Sequence, residues 1–321
     1  MSTNKAWFFP TTGAPEVLQT TQLAMPEPRP GQVLIKVQAS GFNPIDCKIR
    51  AGLAPIAADD QVPGCDVCGD VVALGAGVER FEIGQRVYGC VGGVKGSSGT
   101  LCQYLVADAQ LLALAPAGLT AAQAAVVPLV AITAFEALQR MQLQAGDRLL
   151  VLGGSGGVGQ MAVQQALLQG AQVTATAGTD ERRAALQSLG AHACAHDQAD
   201  KLGVTFDKVL DTHGGDSLQT ALRAAAPAGQ VATINARNTY DLTQAHAKGL
   251  TLHAVFMLLP LLTGKGRAAH GEFLQQLSHW LEQGEIHVPY VETCSAAEVA
   301  DVHRRYEAGQ LKHKVAFTWP L

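Results

Sequence analysis

The stretch Leu149-Leu-Val-Leu-Gly-Gly-Ser-Gly-Gly-Val-Gly159 decides the fold. It carries the pattern G-x-G-x-x-G directly after an apolar run and before a helical segment, the setting typical of a dinucleotide-binding turn. In such a turn Gly154 would permit the tight bend, Gly156 the approach of a pyrophosphate, and Gly159 close packing of helix on strand. A helix starting near residue 157 would offer free N–H groups and its positive dipole end. The alternative is an ordinary glycine-rich turn. The candidate contacts are Gly154, Ser155, Gly156, Gly157, Val158 and Gly159.

Outward from this turn, apolar strands alternate with amphipathic helices, a pattern that predicts an α/β fold with a parallel, doubly wound sheet. The predicted strands are Arg148 to Leu152, Gln172 to Ala177, Lys208 to Asp211, Gln230 to Ile234 and Thr251 to Phe256. The predicted helices are Val158 to Gln169, Asp180 to Leu189 and Ser217 to Ala226.

The regions before and after this alternating segment show a different pattern of residues. Residues 1 to 118 show short strands between Gly and Pro, typical of an all-β unit. A capping box, Thr120-Ala-Ala-Gln123, predicts a helical stretch running across Pro128 to Met141. The predicted strands of the first region are Gln32 to Gln38, Cys65 to Leu74, Arg86 to Cys90 and Leu101 to Val106; at the C-terminal end, helices Glu272 to Gln283 and Ala296 to Ala308 precede a strand, Lys314 to Trp319.

Composition excludes several classes. The 321 residues hold 23 Lys and Arg against 27 Asp and Glu, a net charge of −4, with no basic stripe for nucleic acid. The longest apolar run, Ala254 to Leu262, contains Pro260 and falls short of the ~20 residues needed to cross a bilayer. The N-terminal apolar stretch is too short for an export signal. Seven scattered cysteines favour a reducing cytoplasm.

The strand end at Ala177 bears on the choice of cofactor. An NAD enzyme would carry an acidic residue here for the ribose 2′-OH, whereas this chain has Ala177, Gly178 and Thr179. Arg182 or Arg183 would then reach a 2′-phosphate, or would simply form a solvated helix face. Asp180 is the counter-argument, but an acidic residue is also favourable at a helix N-terminus. The pattern favours NADPH.

Five motifs in order carry a family resemblance: Gly41-Phe-Asn-Pro-Ile-Asp-Cys-Lys-Ile-Arg-Ala-Gly52, Val62-Pro-Gly-Cys-Asp-Val-Cys-Gly-Asp-Val-Val72, Thr133-Ala-Phe, residues 154–159 and Asp211-Thr-His-Gly-Gly215. The chain resembles the medium-chain dehydrogenase/reductase superfamily in its zinc-free quinone oxidoreductase branch. The form Asn-Pro-x-Asp-x-Lys at 43 to 48 is most similar to the alkenal/enone oxidoreductases. The resemblance implies a GroES-like catalytic domain, residues 1–122 and 260–321, with a Rossmann domain, 123–259, inserted in it.

The resemblance also implies functional positions. Asn43 and Thr133 match residues beside the nicotinamide, and Phe256 matches a strand that passes the nicotinamide and, in relatives, helps to pair two subunits edge to edge. The adenosine-phosphate pocket is matched by Thr176, Ala177, Gly178, Thr179 and Arg182, with Arg183 and Thr212 as further candidates. Two departures concern Asp197, where relatives often have Tyr, and His313-Lys314, where they have Gly-Lys.

The positions that hold catalytic zinc in related alcohol dehydrogenases lack ligands here. Asn43 stands at the first, Gly64-Cys65-Asp66 replaces Gly-His-Glu at the second, and Leu129 and Val130 lie at the third. Cys65 and Cys68, with Cys90 and Cys102, offer four thiols. Residues three apart on a strand point to opposite faces, however, so these two should not chelate together. No metal is expected.

Without a Lewis acid, conjugated acceptors are easier to reduce than simple ketones, because the enolate or phenolate formed is delocalised. The hypothesis is hydride transfer from NADPH to a quinone or an α,β-unsaturated carbonyl. Asn43 and Lys48 would orient the ribose and the acceptor oxygen, with solvent or Lys48 giving the proton; Lys48 is alternatively a solvated loop lysine. Asp46 is a candidate acid, although a partner for backbone N–H groups is the plainer role. The alternatives are a non-catalytic NADPH-binding protein and a zinc alcohol dehydrogenase.

Overall fold

A computed structural model describes residues 3–319, which divide into two compact units. The first comprises the chain up to Leu129 and again from Leu258; the second runs from Val130 to Met257. The second unit is therefore a continuous insertion within the first along the chain. Within the described residues, no helix combines the length and the apolar character that crossing a membrane requires.

The inserted unit is built on a six-stranded sheet in which every strand pair is parallel. Its strands are β8 (Arg148–Leu152), β9 (Gln172–Thr176), β10 (His192–Cys194), β11 (Phe206–Asp211), β12 (Ala225–Thr233) and β13 (Thr251–Ala254). The order across the sheet is β10-β9-β8-β11-β12-β13, which in chain order is 3-2-1-4-5-6. This is the doubly wound arrangement of dinucleotide-binding folds, so the predicted α/β class is confirmed.

The helices of this unit are α3 (Pro128–Arg140), α4 (Gly157–Leu168), α5 (Asp180–Ser188), α6 (Asp216–Ala224) and α7 (Thr243–Lys248), of which α3 begins at the unit boundary. Helix α3 precedes β8, whereas α4, α5, α6 and α7 each connect two successive strands of the sheet, and α4 packs on β8 and β9. One core cluster contains Leu150 and Leu152 of β8, Val209 of β11 and Leu222 of α6. Apolar residues at every position of a central strand are expected where helices cover both faces of a sheet.

The other unit contains a seven-stranded sheet of order β14-β15-β3-β4-β5-β7, with β6 also paired to β3, and a separate β1-β2 hairpin pair. The strands are β1 (Thr3–Phe8), β2 (Gln19–Ala24), β3 (Gln32–Gly41), β4 (Asp66–Leu74), β5 (Arg86–Cys90), β6 (Tyr104–Asp108), β7 (Leu112–Leu114), β14 (Val291–Ser295) and β15 (Lys314–Thr318). The helices are α1 (Pro44–Arg50), α2 (Ala121–Ala125), α8 (Leu259–Thr263), α9 (Arg267–Glu282) and α10 (Val299–Glu307).

Local signals explain where the sequence-based expectations fail. The region 1–118 is not all-β, because Asn43 caps α1 and Pro44 occupies its first position, where a missing N–H costs nothing. The helix expected across Pro128 is two helices: α2 ends at Ala125, and Pro128 starts α3. The capping box at Thr120 and Gln123 is present as predicted.

Some strands also begin or end at other residues than the sequence predicts. The strand expected from Thr251 to Phe256 ends at Ala254, and the strand expected from residue 101 begins at Tyr104. The sheet has a sixth strand, β10, which was not predicted because it is only three residues long. Short elements carry little periodicity, so their existence depends on the neighbouring strand rather than on their own sequence.

Candidate active site

The glycine-rich turn lies between β8 and α4, at the carboxyl edge of the parallel sheet. Its left-handed residue is Gly153, with φ of +81°, so Gly153 makes the tight bend that was expected of Gly154. A Cβ on Gly154 would lie 2.6 Å from Cβ of Ala175 on the neighbouring strand. Gly154 therefore permits close packing against β9 rather than a positive φ.

The next two glycines of the motif differ in what surrounds them. A Cβ on Gly159 would collide with the carbonyl oxygen of Gly153, so only glycine fits where α4 meets the turn. A Cβ on Gly156, by contrast, would meet only the same oxygen at 3.4 Å. Gly156 is exposed and is the N-cap of α4. This open space over a helix N-terminus fits a pyrophosphate, since backbone N–H groups are then free to approach it.

The end of β9 is tied to this turn by two hydrogen bonds. The N–H of Gly153 donates to Oγ1 of Thr176 at 2.9 Å, and the N–H of Gly154 donates to the carbonyl of Thr176 at 2.9 Å. Thr176 is fully buried. The structure thus places the predicted pyrophosphate turn and the predicted adenosine-phosphate residues side by side.

The following helix, α5, is capped by Thr179, whose Oγ1 accepts from the N–H of Arg182. Arg183 donates from Nη1 to the carbonyl of Ala177 at 2.9 Å and is ion-paired with Asp180. Asp180 is the first residue of α5, where a carboxylate is favourable to the helix dipole. Both arginines are therefore near the strand end, and Asp180 partly neutralises one of them.

The carboxyl end of β11 forms the other side of this edge. The buried carboxylate of Asp211 accepts from the N–H groups of His213 and Gly214, and from Oγ1 of Thr233. Thr212 donates from its hydroxyl to the carbonyl of Leu152 at 2.7 Å. Because the strand order reverses between β8 and β11, the crevice between their ends is the expected ligand position.

Two further candidates lie elsewhere in this unit. Thr133 is 5% exposed on α3, and Phe256 is 39% exposed beyond the end of β13. Phe256 is therefore not part of the strand to which the resemblance assigned it.

The candidate catalytic residues Asn43, Asp46 and Lys48 all lie in the other unit, at the N-cap, the first turn and the last turn of α1, respectively. Asn43 is the N-cap, and Oδ2 of Asp46 accepts from the N–H of Asn43 at 2.8 Å. Lys48 is half-buried on α1 rather than in a loop. A two-turn helix thus holds the three residues in one segment, with Asp46 serving the helix cap.

Two residues that sequence reasoning did not select, Asp66 and Lys314, complete this cluster. Asn43 donates from Nδ2 to Oδ2 of Asp66 at 2.8 Å and accepts at Oδ1 from Nζ of Lys314 at 2.8 Å. Lys314 also donates to the carbonyl of Phe42, and Asp66 accepts from the N–H of Leu129. The amide of Asn43 is therefore fixed in one orientation. In the sequence, each of the two residues could have been noticed as a charged side chain at the first position of a largely apolar strand.

Burial moves the titration of this cluster toward neutral pH. It raises the pKa of Asp66 to about 7 and that of Asp46 to about 6, with the nearby Lys314 opposing both shifts. Burial likewise lowers the pKa of Lys314, against the attraction of the two carboxylates. Three buried or half-buried ionisable groups that approach one another in pKa are common at functional sites.

The four cysteines considered above as metal ligands, Cys65, Cys68, Cys90 and Cys102, are free and buried. The hydrogen bond with Cys90, followed by burial, raises the pKa of Cys65 well above its usual value. The same bond lowers the pKa of Cys90, but burial and the nearby Asp66 and Asp46 carboxylates outweigh it and raise that pKa to about 11. Across residues 3–319 no three His, Cys, Asp or Glu side chains are grouped so as to hold a metal ion. Asn43 and Cys65 occupy the first two zinc-ligand positions, and the Asn43 amide is hydrogen-bonded to Asp66, the residue after Cys65.

Two family models match the chain. Residues 29–117 match the alcohol dehydrogenase GroES-like domain, and residues 157–267 match the zinc-binding dehydrogenase domain. The matches fall on the β-rich unit and mainly on the inserted unit, respectively. A tomato (Solanum lycopersicum) 2-methylene-furan-3-one reductase is 31% identical over 97% of this chain and 78% of its own length.

Two further proteins are similar over different extents. An NADPH-dependent alkenal/one oxidoreductase from the chloroplast of Arabidopsis thaliana is 37% identical over 64% of this chain and 57% of its own length. Among solved structures, the quinone oxidoreductase of Coxiella burnetii superposes with a TM-score of 0.85, at 26% identity, over 99% of this chain and all of that one.

Proposed function

Because the chain belongs to the medium-chain dehydrogenase/reductase superfamily, among the quinone and alkenal oxidoreductases, we propose that it reduces quinones or α,β-unsaturated carbonyls with NADPH. The observation that carries the proposal is the similarity, along 97% of the chain, to a reductase of a conjugated ketone. The open glycine turn and the strand end without an acidic residue support NADPH as the cofactor. The roles given below to single residues are part of the proposal.

The pyrophosphate would be held by residues 154–159 and the adenosine phosphate by residues 176–179 with Arg182 and Arg183. Thr212 is proposed to line the crevice at the end of β11, and Thr133 and Phe256 to lie toward the nicotinamide. When bound, the cofactor supplies a hydride. The chain contributes binding and orientation, since a conjugated acceptor spreads the developing charge over several atoms.

In the β-rich unit, Asn43 and Lys48 are proposed to orient the cofactor ribose and the acceptor oxygen. The bonds to Asp66 and Lys314 set the direction of the Asn43 amide and leave one Nδ2 hydrogen for a ligand. A preorganised donor costs no reorganisation during the reaction, which is the physical benefit of this network. Lys48 or solvent would deliver the proton, and Asp46 would act by holding the first turn of α1.

Independence from zinc is proposed on the chemistry of the donor set. An amide bonded to a carboxylate, a buried thiol of raised pKa and two aliphatic residues do not supply the three ligands that catalytic zinc requires.

The test is a substrate panel with purified protein: small enones, alkenals and quinones, each with NADPH and NADH, following the loss of nicotinamide absorbance. We expect turnover of conjugated acceptors with NADPH, slower turnover with NADH, and no turnover of the matching saturated ketones. Prior dialysis against a chelator should leave the rate unchanged. NADPH binding without turnover of any acceptor would contradict the proposed enzymatic activity and favour a non-catalytic NADPH-binding protein.

We also propose a homodimer in a reducing cytoplasm, with no nucleic-acid or membrane partner. The support is the open side of β13, the last strand in the order of its sheet, with Leu252 42% and Phe256 39% exposed. An unpaired edge strand is a template for a second copy. Light scattering of the full chain and of Leu252→Lys tests this; a monomer at all concentrations would contradict it.

A further inference from the structure

A histidine outside the glycine turn shares the buried hydroxyl that supports it. Nδ1 of His196 lies 2.8 Å from Oγ1 of Thr176, the same oxygen that accepts from the N–H of Gly153. A hydroxyl has one hydrogen, and Thr176 is fully buried. That hydrogen is satisfied when it is donated to Nδ1, so Nδ1 is the acceptor. The neutral ring then carries its own hydrogen on Nε2.

The Nε2 edge of the ring faces the turn between β9 and α5. It lies 3.6 Å from the position that a Cβ on Gly178 would take, and both residues are exposed. No side chain of residue 178 separates Nε2 from solvent. The strand end at this distance from the glycine motif is where a dinucleotide places its ribose and any 2′-phosphate. The donor edge of His196 is thus directed to the region that distinguishes NADPH from NADH.

The charges that act on His196 are mostly positive. Partial burial lowers its pKa, and His213, Arg183 and Arg182 lower it further, while only Asp197 opposes them. The ring centroids of His196 and His213 are 5.8 Å apart. The Arg183 guanidinium is already engaged by Asp180 and by the carbonyl of Ala177. An anion placed here would reverse the balance of charge around the imidazole.

We propose that His196 is a specificity-determining residue whose neutral ring, held at Nδ1 by the Thr176 hydroxyl, donates from Nε2 to the 2′-phosphate of NADPH. This inference rests on the proposed function. Its consequence is a cofactor preference: NADPH gains a charge-assisted hydrogen bond at this edge of the ring, whereas NADH, which lacks the phosphate, does not.

The test measures binding of NADPH and NADH to the full chain by fluorescence, at about pH 8, above the ordinary histidine range. We expect the His196 donor to contribute about tenfold to the affinity for NADPH and little to that for NADH, the size expected of one hydrogen bond to a charged group. His196→Gln, which lacks the imidazole donor held by Thr176, should weaken NADPH by about that factor and leave NADH unchanged. His192→Gln, an exposed histidine on β10, is the matched control and should behave as the unmodified protein.

Proton NMR of the His196 ring supplies a readout independent of activity. Its pKa should rise when 2′,5′-ADP is added and stay in place with 5′-ADP. A resonance that does not respond to 2′,5′-ADP, or a His196→Gln protein that loses NADPH and NADH equally, would overturn this inference while leaving NADPH-dependent reduction standing. Failure of the unmodified protein to bind NADPH would instead overturn the proposed function.

Discussion

Nζ of Lys314, on the last strand of the chain, donates a 2.8 Å hydrogen bond to Oδ1 of Asn43, the N-cap of α1. The two residues are 271 positions apart in sequence. The bond orients the amide whose other end donates to Asp66, and it places a cation beside two buried carboxylates.

Replacing that cation should destabilise the protein. Lys314→Met leaves Asp66 and Asp46 buried without their nearby positive charge, so we expect the free energy of unfolding to fall by about 3 kcal/mol. Denaturant unfolding at neutral pH measures the change. Lys312→Met, at an exposed position two residues away, should lie within about 0.5 kcal/mol of the unmodified protein. Equal stabilities for the two variants would contradict the role of the Lys314 bond.

The raised pKa of Asp66 predicts a specific pH dependence of stability. Its pKa in the folded protein is about 7, against 3.8 for an exposed aspartate, so the folded state binds the additional proton between these two pH values. This contribution to stability is complete below about pH 4 and is lost as the pH rises through 7. Asp66→Asn removes it. The unfolding free energy of the unmodified protein should therefore fall relative to the variant by about 3 kcal/mol between pH 5 and 8.

The matched control for that comparison is Asp59→Asn, an exposed carboxylate in a loop of the same unit. Its difference from the unmodified protein should not vary over this range. A parallel pair of curves for Asp66→Asn and the unmodified protein would show that the Asp66 carboxyl is ionised throughout.

The lowered pKa of His303 predicts that stability changes with pH in the opposite direction. Its Nδ1 accepts from Nε of Arg50 at 3.2 Å, and burial, with the charge of Arg50, lowers its pKa to about 3 from 6.5. Below about pH 6.5 the unfolded chain takes up a proton that the folded chain does not, so stability falls as the pH drops toward 3. His303→Gln should flatten the decline by about 3 kcal/mol between pH 6.5 and 4, measured by denaturant unfolding. His279→Gln, exposed on α9, should keep the full slope.

Alanine substitutions at two glycines of the same motif should have different effects on stability and on NADPH binding. A Cβ on Gly159 collides with the backbone of Gly153, so Gly159→Ala should lower stability by about 2 kcal/mol and abolish NADPH binding. Gly156→Ala has room without a ligand, so its stability should change by less than about 1 kcal/mol while NADPH binds at least about tenfold more weakly. Thermal unfolding and NADPH titration of both proteins make the comparison; unchanged NADPH affinity in Gly156→Ala would remove Gly156 from the proposed site.

The strongest predictions from sequence were those with dense local signals. An apolar strand, a glycine motif and a following helix are contiguous, so residues 148–168 could be assigned from order alone, and the strand-helix alternation then predicted the parallel sheet. The capping box at Thr120 is equally local. Some short elements, such as β10 with three residues and α1 with seven, were missed because so few positions do not establish a clear periodicity.

By itself, the sequence determined the fold class, the position of the glycine turn and the lack of an acidic residue at the end of β9, because each is encoded by neighbouring residues. Only the tertiary structure decided that Gly153 makes the bend, that Lys314 and Asp66 fix the amide of Asn43, and that His196 shares the hydroxyl of Thr176. These relationships join residues that are distant in the chain or depend on backbone angles. Their energies come from burial and hydrogen-bond geometry, which exist only once the chain has folded.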